Sequence, residues 1–415
     1  MRLLYNPGEF IDREEEIESL HSIASAVSKG VALSSGQRII HMVGRSQIGK
    51  SWFLQKYCDR LSHDESKSFF PVYIDLSSYA DLEVDKFLSE LLRFIDEKIS
   101  NELIVSSPFL NAPQTLFIYS SWVLRGLEQI QREKTLVLLL DEVNMLSSDQ
   151  INALENNLLE AIINQPNIVL VLTGRSVVTG WRSFDLRPMA GINIRNLSKF
   201  NYENTELQVV REKPNAKHLT DQIFELSGGS PGINKNILDQ ARGNPPEIVE
   251  LDAIRACNRE FYEAIGKAGT GLPANLAAEL LPALEALCVL PDFDKEYEVP
   301  FLLAAHKNLS GNWDVKRSIS LFSILTNIQI GPGKLIAWDM SKNAYAIEEQ
   351  TRTTLEQEIQ IRDNELRHTL HCTAMKMYTG WADEYDSDIF RNKAAYHRAK
   401  LEQAGFDPAD CEAKD

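Results

Sequence analysis

Two hydrophobic rhythms alternate along the first half of the chain. Arg38-Ile39-Ile40-His41-Met42-Val43, Phe69-Phe70-Pro71-Val72-Tyr73-Ile74-Asp75-Leu76, Thr135 to Leu140 and Asn167 to Leu172 are short, nearly unbroken apolar runs. Between them apolar residues recur at helical spacing: Ile17, Leu20 and Ile23; a segment from Lys50 to about Leu61; Val84, Phe87, Leu88, Leu91, Leu92 and Ile95; Gln114 to Gln131; and Gln150 to Ile163. Strands that do not alternate with polar residues are buried on both faces. Separated by helices, they predict a parallel sheet covered on both sides. Ligands in such sheets bind beyond the carboxyl ends of the strands.

From about Leu197 the pattern predicts helices alone, broken at Gly228-Gly229-Ser230-Pro231-Gly232. Gly266 to Pro273, with three glycines, reads as a linker. Helices are predicted at Leu276–Val289, Val299–Ala305 and Asp314–Leu325. Short strands follow at Asn327–Ile330 and Leu335–Trp338 across a Gly331-Pro332-Gly333 turn, with a third at Tyr345–Ile347. Three helices and a small β-wing make a winged helix. The predicted divisions are an N-terminal segment and helix (1–30), an α/β domain (31–195), a helical lid (196–268), a winged-helix domain (269–350) and an acidic helical tail (351–415).

The 415 residues are 44% hydrophobic and 25% charged, which suits a globular chain of several domains. No apolar run approaches the length of a membrane span, and the N-terminus lacks a signal-peptide core, so a cytoplasmic location without membrane attachment is expected. The net charge of −16 disfavours a sequence-independent nucleic-acid coat. Cys58, Cys257, Cys288, Cys372 and Cys411 are scattered singly, which predicts reduced, mostly buried thiols with neither a disulfide nor a zinc site. His368, His371 and Cys372 cluster in sequence, but with no acidic or Cys partner at metal spacing they are assigned to packing and surface.

Chemistry concentrates at three strand ends. Gly44-Arg45-Ser46-Gln47-Ile48-Gly49-Lys50-Ser51 matches G-x-x-x-x-G-K-[ST], following a predicted strand and opening a predicted helix. Its glycines let backbone N–H groups converge on phosphate at a helix N-terminus. Lys50 is expected to bridge the β- and γ-phosphates and Ser51 to ligate Mg²⁺, with Trp52 next on the helix completing the nucleotide-binding set. Asp141-Glu142 ends the third apolar run: Asp141 is placed to hold Mg²⁺ through water, Glu142 to polarise the attacking water. Thr173-Gly174-Arg175 ends the fourth, where a polar side chain can reach the γ-phosphate. Arg182 and Arg187 follow, where a trans-acting arginine could sit.

Together these residues resemble the AAA+-related STAND family of signalling ATPases, prokaryotic members in particular, over about residues 8 to 400. Phe10-Ile11-Asp12-Arg13-Glu14-Glu15-Glu16-Ile17 is similar to the family's adenine-proximal N-terminal motif, with Asp12 at the family's Gly position and Arg13 retained. Thr173-Gly174-Arg175 resembles its sensor-1 motif, which implies Arg175 near the γ-phosphate. Gly228-Gly229-Ser230-Pro231-Gly232-Ile233 resembles its G-G-x-P lid motif, which implies Pro231 near adenine or ribose. The resemblance implies an α/β P-loop NTPase with an AAA+-like parallel sheet, a lid and a winged helix that reports nucleotide state. Family members often place a His-Asp pair after the wing; here Glu348 stands where His is expected.

The leading expectation is a switch that binds ATP or ADP with Mg²⁺, hydrolyses slowly, and couples nucleotide state to domain rearrangement. Against the long repeat sensor and effector usual in STAND proteins, the resemblance implies either a truncated core or a sensor or effector partner protein encoded separately, with nucleotide-dependent homo-oligomers as a further form. The alternative is a DNA-binding AAA+ ATPase resembling replication initiators or transposition ATPases. Its recognition helix and wing would offer only Lys316, Arg317, Lys334 and Lys342, thin for phosphate contacts in so acidic a chain. A scaffold without turnover is a third reading, disfavoured by the intact Lys50, Ser51, Asp141 and Glu142.

Overall fold

The computed structural model describes residues 5–44, 47–103, 116–175, 177–178, 180–189, 191–248, 250–294, 296–309, 315–330, 333–339 and 343–412. Two compact units emerge, Met1–Pro214 with Gly229–Gly232, and Asn215–Gly228 with Ile233–Asp415.

In the first unit the apolar runs form β1 (Ile39–Val43), β2 (Phe69–Asp75), β3 (Thr135–Asp141) and β4 (Ile168–Gly174). A short β5 (Ile194–Asn196), with the polar Arg195 and Asn196, has no apolar rhythm and escapes sequence detection. All pairings are parallel, in the order β2-β3-β4-β1-β5. Val137, Leu139, Val169 and Val171 face α1 (Glu14–Ser28) and α2 (Lys50–Ser62), in a core holding Leu20, Phe53 and Tyr57. Leu136, Leu138, Leu140, Leu170 and Leu172 face the other way, toward α3 (Val84–Leu103) and α4 (Leu116–Gln131). Burial on both faces explains the unbroken runs, and each such Leu contributes about 2 kcal/mol of transfer free energy. Residues 114 and 115 of the expected Gln114–Gln131 helix lie outside the described residues.

The helix expected over Gln150–Ile163 is present but carries a π turn at Glu155–Leu159. Glu155 is buried there and accepts hydrogen bonds from the N–H groups of Arg182 (3.0 Å) and Ser183 (2.5 Å). The widened turn coincides with that anchoring carboxylate.

In the second unit the expected linker at Gly266–Pro273 does not separate two cores. Phe261, with Ile265 and Ala268 beside it, packs in one cluster with Leu280, Leu284, Phe293, Leu302 and Phe322. The acidic segment after Thr351 is likewise no appended tail, because Leu355, Ile359, Leu366, Leu370 and Tyr378 complete that same core. The three helices expected there are α5 (Ala274–Leu287), α6 (Glu298–Ala305) and α7 (Val315–Leu325). The wing pairs differently from expectation. Gln329–Ile330 pairs with Gly333–Lys334, and Ile336–Asp339 pairs with Ala344–Ile347. Trp338 and Tyr345 lie directly opposite in the second ribbon, rings 5.0 Å apart and edge-on, which fixes its register. Gly331, Pro332 and Lys342 lie outside the described residues. Then come α8 (Glu349–Arg362), α9 (Asn364–Tyr385), α10 (Asp388–Gln403) and α11 (Ala409–Glu412).

Glu348 is the N-cap of α8, accepting from the Thr351 N–H at 2.9 Å and its hydroxyl at 3.0 Å. A carboxylate serves a helix N-terminus well, which accounts for an acid at this position. The expectation of five reduced thiols is also corrected: Cys372 and Cys411 form a disulfide, with Cα atoms 5.4 Å apart. The pairing joins α9 to α11 across 39 residues and was invisible to local spacing.

Candidate active site

The chain leaves β1 at Val43 and turns through the phosphate loop into α2. A Cβ on Gly44 would stand 2.8 Å from the Ile48 side chain, so a larger residue there has to displace Ile48 from the loop. Gln47 and Gly49 adopt φ of 62° and 93°, left-handed values that tilt successive peptide groups into an anion-binding concavity. Arg45 and Ser46 lie outside the described residues.

Lys50 is buried at the loop's centre and donates to the Gly44 carbonyl at 3.0 Å. Its ammonium also lies 3.5 Å from Glu142 Oε1. Burial pushes Lys50 below the ordinary lysine range; Glu142 and Asp141 oppose the shift, and Arg175 adds to it. Ser51 and Trp52 follow on α2, with Trp52 edge-on to Tyr5 of the N-terminal segment at 5.7 Å.

Asp141 is completely buried at the end of β3. The Thr173 hydroxyl donates to its Oδ1 at 2.5 Å and the Tyr73 hydroxyl to its Oδ2 at 3.0 Å, while Gln55 donates to the Tyr73 oxygen at 3.1 Å. Thr173 also accepts from the Glu142 N–H at 3.3 Å, which binds the acid pair to the end of β4. Glu142 itself has φ 55°, a strained conformation for a residue with a side chain, and its buried Oε2 has no hydrogen-bond partner among the described residues. Arg175 is anchored through its N–H, donated to Asn144 Oδ1 at 2.8 Å.

Tyr73 and Asn144 were absent from the sequence-derived set. Tyr73 gains its role only because β2 lies beside β3, with Asp75 opposite Asp141. Asn144 carried a faint signal as a polar residue just after Asp141-Glu142. His41 is a third. Buried on β1, it is pushed down to about 4 by desolvation, a hydrogen bond with the Leu186 backbone only partly opposing the shift.

Arg13 is the residue that precedes α1. It is buried, donates to the Ser198 hydroxyl and carbonyl, pairs with Glu16 at 3.3 Å and lies over the Phe200 ring. It locks the N-terminal segment to residues 198–200. Asp12, at the family's Gly position, has φ 60° and accepts from Asn204 Nδ2 at 2.6 Å, so a left-handed backbone is adopted here without glycine. Arg187 is tied to the Trp181 and Arg182 carbonyls, whereas the Arg182 side chain is exposed.

The lid motif reaches the phosphate loop directly. The Gly232 N–H and the Ser230 hydroxyl both donate to the Gln47 carbonyl, at 2.9 and 3.1 Å. A Cβ on Gly232 would come within 2.8 Å of Gln47 Cβ, so this approach requires glycine. The Pro231 carbonyl accepts from Gln208 Nε2 at 2.9 Å.

A P-loop strand separated from an acid-bearing strand by one parallel strand, with Lys50, Asp141 and Thr173 converging, defines an AAA+-related P-loop ATPase core. The chain belongs to the family of ATPase domains found predominantly in Archaea, whose model matches residues 10–234. No curated protein matches the sequence significantly. Among solved structures it is similar to Cdc6p from Pyrobaculum aerophilum (14% identity, 86% of this chain and 94% of that one, TM-score 0.44). It is also similar to the Aeropyrum pernix ORC1 protein, solved in complex with DNA (14%, 86% and 93%, 0.44). A third is a signal-transduction ATPase with numerous domains and a tetratricopeptide-repeat sensor from Pyrococcus horikoshii (15%, 94% and 48%, 0.30).

Proposed function

We propose that the protein is an ATP-driven molecular switch whose phosphate loop is read by the Gly229–Gly232 motif. Lys50, Ser51 and Asp141 are the groups that would hold the nucleotide phosphates and Mg²⁺. The site fits them: a buried ammonium, a buried carboxylate held by two hydroxyls, and an orphaned Glu142 oxygen placed for a water. Bound Mg²⁺ supplies charge neutralisation on the phosphate oxygens. Glu142 accepts the proton of the attacking water and Arg175 stabilises developing negative charge. Lys50 gives up its contact with Glu142 in favour of phosphate, which frees the base only when nucleotide is present.

The double hydrogen bond onto the Gln47 carbonyl carries the switch reading. Gln47 lies within the loop that wraps phosphate, and Pro231 and Gly232 begin the helix Pro231–Gln240. A ligand shifts a conformational equilibrium only through differential affinity, and a loop carbonyl shared with the lid motif provides that difference. Slow turnover suits such a switch, and partner proteins or further copies of the chain would read its state. Hydrogen exchange at the amides of Gly229 to Gln240 tests the proposal. Protection should differ between ADP and a slowly hydrolysed ATP analogue, and identical protection in both would remove this motif as the reader.

A DNA-binding role finds less support. Arg317, one of the few basic residues of the candidate recognition helix, donates to Glu279 at 2.7 Å, which leaves Lys316 and Lys334 as its exposed basic companions on helix and wing.

A further inference from the structure

We propose that His368, Cys372 and Cys411 form a binding site for a zinc-class divalent cation in the reduced chain, with the Cys372–Cys411 disulfide as its oxidised, metal-free form. Their donor atoms all lie within 4.8 Å of one another. His368 and Cys372 stand four residues apart on α9 and so project from the same side of the helix; His368 Nε2 is 3.4 Å from Cys372 Sγ. The fold brings in Cys411 from α11, which supplies the Cys partner that sequence spacing withheld.

The surroundings suit coordination. Both sulfurs are buried in an apolar cluster with Met375 and Leu401, and the His368 ring rests against Phe406 at 4.3 Å, which holds the imidazole toward the sulfurs. Two thiolates and an imidazole are a borderline-soft donor set that favours Zn²⁺ over Mg²⁺ or Ca²⁺. Zn–S bonds of about 2.3 Å at tetrahedral angles place two sulfurs roughly 3.8 Å apart. Breaking the disulfide and turning the two cysteine side chains meets that spacing. Among the described residues no fourth His, Cys, Asp or Glu joins the group, so water or an external ligand takes the remaining position.

The chemistry balances with a low-molecular-weight thiol as reductant. Two RSH molecules supply two electrons and two protons and leave as RSSR; the Cys372–Cys411 bond breaks to give two thiols. On metal binding both thiol protons pass to solvent and two metal–sulfur bonds form. Oxidation by a small disulfide reverses the sequence and expels the ion.

The test is a Co²⁺ titration of the untagged full chain, kept reduced by a non-coordinating phosphine. One equivalent should produce thiolate-to-cobalt charge transfer in the near ultraviolet and intense tetrahedral bands in the visible, bleached by Zn²⁺. Cys411→Ala, checked for an unchanged far-ultraviolet circular dichroism spectrum, should lose the charge-transfer band, and His368→Ala should weaken binding roughly tenfold or more. Oxidised protein should bind no cobalt at this site. Reduced wild type without charge transfer, or a Cys411→Ala variant that titrates like wild type, would overturn the proposal.

Discussion

Lys50 and Glu142 face each other across the phosphate loop, and their separate roles predict separate losses. Lys50→Ala should abolish measurable ATP binding in a fluorescent-nucleotide titration. Glu142→Gln should retain ATP affinity while phosphate release falls by roughly 10²- to 10⁴-fold, because it removes the proposed general base without removing a phosphate contact. His41 predicts a pH dependence unrelated to catalysis. Its folded value of about 4 lies below the ordinary 6.5, so between these pH values the unfolded chain binds a proton that the folded chain does not. The stabilising contribution is therefore present above pH 6.5 and is lost as pH falls toward 4, on the order of 3 kcal/mol in total. Denaturant unfolding at a series of pH values should show that slope in wild type and its loss in His41→Gln. The positions of Lys50, Glu142 and Arg175 at helix and strand ends were legible in sequence because the motif spacings that carry them are local. Tyr73, Asn144 and His41 were not, because each acts through a neighbour supplied by another part of the chain.

Two glycines separate packing constraint from helix propensity at the level of elements. Gly232 meets the phosphate loop, and a methyl group there has to displace Gln47 backbone. Gly232→Ala should weaken nucleotide binding while leaving the sheet folded, as read by nucleotide titration beside circular dichroism. Gly266 lies inside the helix Arg259–Gly269, and apart from its chain neighbours and the helix's own backbone nothing stands within 4 Å of an added Cβ. Gly266→Ala should instead stabilise the chain by about 0.5–1 kcal/mol with nucleotide affinity unchanged, seen as a raised thermal midpoint. The strands β1 to β4 were readable from unbroken apolar runs. β5 was not, because three edge residues carry no periodicity. The wing ribbons were only half readable, since antiparallel register there depends on which strand Trp338 finds opposite it.

The acidic balance acts on partners at the level of the whole molecule. With a net charge of −16, the chain is expected to read nucleotide through protein contacts. Light scattering should give a larger particle with the slowly hydrolysed ATP analogue than with ADP, in the presence of candidate partners or at high chain concentration. A salt-sensitive mobility shift on duplex DNA would reverse that expectation in favour of the DNA-binding reading. Among the described residues no helix is long and apolar enough to cross a membrane.

The order of residues along the chain was enough to read the phosphate-loop pattern, the acid pair at a strand end and the parallel α/β class, because each depends on residue types at fixed short spacing or on burial of both sheet faces. Three-dimensional packing set the strand order that brings Tyr73 to Asp141 and the meeting of Gly232 with Gln47. It also merged the expected linker and acidic tail into one core, and joined Cys372 to Cys411. These depend on which distant segments pack together, and distant packing leaves no local spacing to read.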